Sequence, residues 1–508
     1  MTFKRASGTL LHPTSFPGPY GIGDIGPAAF EFVDFLASAG CTLWQVLPLG
    51  PTGYGDSPYQ CFSAFAGNPY LVSPDALLED DLLHANDLAN LPDFPTQTVD
   101  YGAVIPWKLN LLDRAYTRFQ TAGSVKLRRA FDDFRREHSA WLDDFARFMA
   151  LKEYFGGGAW TEWPAPYRRR DPEALAAFTA EHDTDIERQA FRQFLFFRQW
   201  QKLRAYAHKR GITLIGDIPI FVAHDSADVW AHPELFYLGD DGRPTVVAGV
   251  PPDYFSPTGQ LWGNPLYRWE VHAQDGYAWW LSRFRAVLSM VDLVRLDHFR
   301  GFAAYWEVPG DAETAENGRW APGPGAEFLA VVRDALGDAQ TPVSRGLPII
   351  AEDLGVITED VETLRRSFDL PGMKILVFAF NGDPKNVFLP HNYARDCVVY
   401  TGTHDNDTVL GWYRRVSASE RDFARRYLSR DGSDISWDLI RAAWSSVAAF
   451  AIAPMQDLLG LDNAARMNYP GNPSGNWGWR MPPGALDEFL RARLYENNLL
   501  YGRLTADV

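Results

Sequence analysis

Two segments carry the densest chemistry in this chain. The stretch "VRLDHF" places Arg295 and Asp297 two residues apart, and "IIAEDLG" sets Glu352 beside Asp353 after an apolar run. A third segment, "TGTHDND", offers His404, Asp405 and Asp407, and "IGDIPIF" offers Asp217. Side chains alternate along a strand, so Arg295 and Asp297 share a face while Val294 and Leu296 share the other. A guanidinium next to a carboxylate favours the ionised carboxylate, as a nucleophile requires. The competing reading is a structural ion pair. Each of the four segments ends an apolar run in a carboxylate. One such end is a helix N-cap as readily as a site, but four together point to a shared acidic cavity. A carboxylate nucleophile, a second carboxylic acid and an aromatic-rich cleft suggest glycosidic-bond chemistry. The aromatic content, 18 Trp, 21 Tyr and 33 Phe, is compatible with sugar stacking, although most of these rings belong to a core.

These groups need elements to position them. Eight apolar runs recur between helical patterns, at 41–49, 68–74, 212–222, 289–299, 347–355, 373–380, 396–407 and 446–460. Nearly continuous apolar strands alternating with helices predict a parallel sheet covered on both faces, closed as a (β/α)8 barrel of the α/β class. A doubly wound sheet is the rival, and no G-x-G-x-x-G follows an early strand to support it. The chain reads as one catalytic barrel over 1–508, with insertions at about 50–67 and 75–208 (mostly helical), 223–288 (a cleft-covering loop and subdomain) and 303–345. The segment after residue 460 is too short for an appended C-terminal β-domain.

The 508 residues carry a net charge of −16 with 46% hydrophobic and 22% charged side chains. That field disfavours nucleic acid and anionic membranes as partners. Cys41, Cys61 and Cys397 are too few and too scattered for a disulfide framework or a zinc site. No run resembles a signal peptide or a membrane span, so the expected location is cytoplasmic. Clustered Asp, Glu and His also suit a metal, but the early strands lack His-x-His, and no metal or cofactor is expected. "YPGNPSGNWGW" at 469–479 is Gly-rich yet has no basic residue, which suits a turn or a sugar contact better than a phosphate site.

Six motifs in order, "GYGDSPYQCFSAFAGNPYLVS", "GDIPIFVAHDSADVW", "VAGVPPDYFSPTGQLWGNPLYRW", "RLDHFRGF", "AEDLG" and "GTHDNDT", resemble the 4-α-glucanotransferases of glycoside hydrolase family 77, the amylomaltase type of the α-amylase clan. The resemblance spans essentially the whole chain. It implies transfer of α-1,4-glucan segments from maltooligosaccharides, amylose, starch or glycogen-derived glucans to an acceptor such as glucose, with cyclisation as a further outcome. Asp297 would be the nucleophile, Glu352 the acid/base and Asp405 the transition-state stabiliser. Arg295 would ionise Asp297. Tyr59, Asp217, His298 and His404 would surround the reacting sugar, Tyr54 would belong to a secondary glucan site, and Asp253, Tyr254, Phe255 and Trp262 would contact sugar from a loop over the cleft. No cofactor and a monomeric state go with this expectation. The Asn-His pair of true α-amylases is missing from the 212–222 motif, so no calcium is expected. A plain α-glucan hydrolase on the same barrel and a non-catalytic glucan-binding barrel are the alternatives.

Overall fold

The computed structural model describes residues 2–504 apart from 253–255, 338 and 342. Eight parallel strands form its centre: β1 (Ala6–Leu10), β2 (Leu43–Gln45), β3 (Thr213–Ile218), β4 (Leu293–Leu296), β5 (Ile349–Ala351), β6 (Gly372–Ile375), β7 (Cys397–Tyr400) and β8 (Phe450–Pro454). They lie in the order β5-β4-β3-β2-β1-β8-β7-β6. The two ends of this sheet meet, because the Ala351 amide donates to the Pro371 carbonyl at 2.9 Å. The (β/α)8 barrel expected from the sequence is therefore the fold. Among the described residues no strand follows Pro454.

One strand was misassigned. The run "NPYLVSP" (68–74), expected as the second strand, is a 3-10 turn at Pro69–Leu71 leading into the helix Pro74–Glu79. The Asn68 side chain accepts from the Tyr70 amide at 2.9 Å, and Pro69 and Pro74 cannot donate to a ladder. The missing strand is β1, "ASGTL", which reads as polar because its side chains serve another layer. Ser7 Oγ donates to Asn498 Oδ1 on the C-terminal helix Glu488–Leu500. A Cβ on Gly8 would lie 2.0 Å from the Leu43 carbonyl oxygen of β2, so the close approach of these two strands requires glycine.

The helix Pro27–Ser38 begins at Pro27 and is followed by Gly40 at φ 73°, as its sequence signals imply. The insertion before β3 is dominated by three long helices, Tyr101–Ala122, Val125–Tyr154 and Asp183–Lys209. The last has two jobs. Its N-terminal part packs on the insertion, and its C-terminal part is the crossover into β3, where fully buried Trp200 meets Trp44 of β2 at 6.1 Å. The later insertions, separate in sequence, join in one antiparallel sheet ordered Gln260–Pro265, Val246–Val250, Ala304–Pro309, Arg319–Pro322. This sheet stands beside the C-terminal end of β4.

Replacing Gly8 by Ala is expected to destabilise the barrel by about 1–3 kcal/mol, since neither β1 nor β2 can give way without breaking ladder bonds. Equilibrium unfolding in denaturant measures this, and an unchanged midpoint would contradict the tight β1–β2 approach.

Candidate active site

Strand register builds the first part of the site. Asp217 on β3 is the direct neighbour of Arg295 on β4. Their side chains emerge on one face, and Arg295 Nη1 donates to Asp217 Oδ2 at 2.7 Å. The other arm of the guanidinium reaches Asp297 Oδ1 at 2.8 Å. The fork therefore joins a carboxylate with no exposed surface, Asp217, to one that is 27% exposed, Asp297. Arg295 itself is buried. Burial, together with the neighbouring charge of Asp297, pushes the Asp217 carboxyl up to about 7 against the pull of Arg295. The Tyr59 hydroxyl also donates to Asp217 Oδ2, at 2.8 Å. Asp217 is thus covered by its partners, and it holds Arg295 and Tyr59 rather than facing the cleft.

A backbone reversal aims the next group. Immediately after Asp297, His298 adopts φ 50°, ψ 50°, a left-handed conformation uncommon for a side-chain-bearing residue. The turn points the His298 amide at Glu352, whose Oε2 accepts it at 2.7 Å. Glu352 Oε1 accepts the Leu354 amide at 3.2 Å. Glu352 follows β5, and its own amide donates to the Leu296 carbonyl at 3.1 Å, fixing it beside β4. Burial, with help from the Asp297 charge, raises the Glu352 carboxyl well above the usual carboxylate range, and Arg295 and the His298 amide oppose this only partly. Burial thus favours the protonated form, in which the carboxyl can act as an acid. Its neighbour Asp353 points the other way, accepting the Met373 amide of β6 at 2.7 Å and pairing with Arg365.

The third part follows β7. Asp405 is 42% exposed and its Oδ1 accepts from Asn468 Nδ2 at 2.7 Å, with His404 Nε2 at 3.3 Å. Arg466 donates to the Asp405 carbonyl and also pairs with Asp407. Asp407 is buried and bound by Arg415 as well, so it is a brace rather than a cleft group. The Tyr59 ring stacks on His404, with centroids 5.1 Å apart and planes 15° apart, and both lie against Trp477. Burial lowers the His404 and His298 imidazoles, His298 to about 4, so both are neutral at pH 7. Trp262, on the strand Gln260–Pro265, meets the edge of His298 at 4.8 Å.

Asp297, His404, Asp405, Tyr59, Trp262 and Trp477 line one cleft of about 320 Å³, with Tyr54 at its rim, 77% exposed. Asp253, Tyr254 and Phe255 lie outside the described residues. Asn468 and Arg466 are functional neighbours that the sequence reading missed. They sit on an irregular segment with no periodicity, and only their nearness to the flagged "YPGNPSGNWGW" stretch pointed there. Among the described residues no group of three or more His, Cys, Asp or Glu is arranged to hold a metal ion.

A parallel barrel that gathers carboxylates, one guanidinium and stacked rings at the C-terminal ends of its strands belongs with the barrel enzymes of glycosidic-bond chemistry. The chain belongs to glycoside hydrolase family 77, the 4-alpha-glucanotransferases, whose profile matches residues 11–487. It is 52% identical over 502 residues to the 4-alpha-glucanotransferase of Thermus thermophilus, covering 97% of this chain and 98% of that one. To the 4-alpha-glucanotransferase of Synechocystis sp. it is 51% identical, covering 99% of each. The amylomaltase from Streptococcus agalactiae, solved in complex with acarbose, superposes with a TM-score of 0.94 at 41% identity, over 99% of this chain and 100% of that one.

Breaking the fork by Arg295→Met leaves Asp217 buried and unpaired, and is expected to destabilise the protein by about 3–5 kcal/mol. Adding Asp217→Asn should return roughly 1 kcal/mol or more, because the two residues share one interaction. Denaturant unfolding of the four proteins in this cycle measures the coupling, and strictly additive losses would contradict the bridge.

Proposed function

We propose that the chain transfers α-1,4-glucan segments by a double displacement centred on Asp297. The observation that carries this reading is the pair of unlike carboxyls just past the ends of adjacent strands: Asp297, partly open to the cleft and charge-balanced by Arg295, and Glu352, whose burial favours the protonated form. In the first step an Asp297 oxygen attacks the anomeric carbon. The bond from that carbon to the glycosidic oxygen breaks, and Glu352 gives its proton to that oxygen, releasing the leaving chain. In the second step the Glu352 carboxylate takes the proton of an acceptor 4-hydroxyl. The acceptor oxygen attacks the anomeric carbon, and Asp297 leaves with its electron pair. Two inversions retain the configuration.

Asp405, fixed by Asn468, accepts hydroxyl hydrogens of the sugar next to the reacting carbon, and neutral His404 donates to the same sugar. Tyr59 forms the wall beneath it, and Asp217 acts through Arg295 and Tyr59. His298 and Trp262 border the opposite side. Tyr54 offers an exposed ring at the rim for a second glucan contact. Asp253, Tyr254 and Phe255 are read from the sequence alone as sugar contacts on a covering loop, which would favour sugar over water as acceptor by drying the cleft. Maltooligosaccharides, amylose and starch or glycogen-derived chains are the donors in this reading, and glucose is an acceptor. The enzyme works as a cytoplasmic monomer without a cofactor. No helix among the described residues is long and apolar enough to cross a membrane.

Incubation with maltotriose tests the transferase reading. Free glucose together with products longer than maltotriose is the expected outcome on chromatography, whereas glucose and maltose alone would establish a hydrolase. Asp297→Ala should lose nearly all activity, by roughly 10⁴-fold or more. Azide added with an activated α-glucoside should restore part of its turnover and yield a glucosyl azide. Full activity without azide would remove Asp297 from the role of nucleophile.

A further inference from the structure

The chain contains 18 tryptophans, and Trp320 alone among them is more than a third exposed, at 43%. A large indole face left in water is the informative kind of exposure. Trp320 lies on Arg319–Pro322, the outer strand of the antiparallel sheet beside β4. Its register partner is Trp306, and the partner of Trp306 is Gly249. Directly opposed residues share a face, so the two tryptophans form one row. Further along this face, Ala315 packs over Val247 and Val308 and is itself fully buried. The Trp320 end stays open.

Two contacts hold that ring, and a hydrogen bond fixes one of the partners. The Trp306 ring meets it at 5.2 Å with planes 69° apart, and Trp306 Nε1 donates to the Ala315 carbonyl at 2.8 Å. The Arg300 guanidinium lies over Trp320, 3.9 Å from the ring centroid. Such a cation stacked on an indole holds the ring in place, and 43% of Trp320 remains exposed beside it. Arg300 also donates to the Val356 carbonyl. Arg300 is three residues beyond Asp297, and Val356 is four beyond Glu352. Arg300 thus joins the Trp320 platform to the segments that follow Asp297 and Glu352. On the strand Gln260–Pro265 of the same sheet, Gln260 and Trp262 line the cleft itself.

We propose that Trp320, braced by Arg300 and Trp306, stacks against a distal glucosyl ring of a long α-1,4-glucan whose reacting end occupies the cleft. The proposal rests on the glucan-transfer reading. A cleft of about 320 Å³ takes only a short stretch of a polymer. The rest of the chain must cross neighbouring surface. Glu352 protonates the oxygen through which the leaving chain departs, so that chain, and the acceptor that replaces it, crosses the rim on the Glu352 side. An uncharged indole face suits the apolar C–H face of a sugar. A single exposed ring is far too small for a stable protein interface, which buries on the order of 1,000 Å² or more.

The test compares wild type, Trp320→Ala and Trp320→Phe in two ways. Turnover is measured as kcat/KM on amylose and on maltotriose, and binding is read from retardation in native gels containing amylose. Trp320→Ala should lower the amylose-to-maltotriose ratio of kcat/KM by roughly three- to tenfold, as expected for loss of one stacking contact. It should also migrate with less retardation, and Trp320→Phe should keep most of both. A ratio equal to wild type, or retardation unchanged in Trp320→Ala, would overturn the proposal. So would a concentration-dependent dimer of wild type, seen by sedimentation, that Trp320→Ala abolishes. If wild type transferred nothing from either substrate, the glucan-transfer reading would fall. The gel retardation would still decide the platform.

Discussion

The site depends on one buried cation. Arg295 lies inside the barrel with almost no access to water, and an isolated charge there would be strongly unfavourable. It is tolerated because its two arms reach two carboxylates on defined positions, Asp217 across the β3–β4 ladder and Asp297 just past the end of β4. The consequences spread outward. Asp217, whose Oδ2 accepts from both Arg295 and Tyr59, anchors the ring that stacks on His404. Asp297, tied at one oxygen, is presented to the cleft in a fixed orientation. The same positive charge limits how far Glu352 rises.

Backbone geometry does the rest of the positioning. The left-handed turn at His298 follows β4 and aims the His298 amide at Glu352, so the segment that carries Asp297 also hydrogen-bonds Glu352. The third carboxylate is held differently. Asp405 sits on a loop rather than a strand, and its orientation comes from Asn468 and from Arg466, which is itself locked on Asp407. Asp297 and Glu352 thus sit directly at the ends of strands, while Asp405 sits on a cross-braced loop.

Much of this was legible in the sequence, and the exceptions have physical causes. Alternation alone put Arg295 and Asp297 on one face and separated Glu352 from Asp353, because a strand period of two is insensitive to tertiary context. It failed for β1. "ASGTL" spends its polar side chains on the outer helix and needs Gly8 for close approach, so it lacks the apolar signature of its neighbours. It failed again at "NPYLVSP", whose buried Leu71 and Val72 are apolar for core packing although two prolines bar a ladder. Asp217 was expected around the sugar, yet its carboxylate is wholly covered, since no sequence pattern reveals which polar group its neighbours will enclose. The union of two distant insertions in one sheet beside β4 was equally invisible, because antiparallel pairing between 246–265 and 304–322 leaves no local mark.

By itself the sequence determined the barrel, the strand ends that carry carboxylates and the family to which the chain belongs. These follow from local periodicity and from residues whose spacing along one strand sets their direction. Only the tertiary structure decided that Arg295 joins two carboxylates, that burial favours the protonated form of Glu352, that Asp407 is a brace, and that Trp320 alone of eighteen tryptophans is more than a third exposed. Those outcomes depend on burial and on partners brought together from far along the chain. A charge, an acid and an exposed ring acquire their properties from what surrounds them, and local sequence does not specify the surroundings.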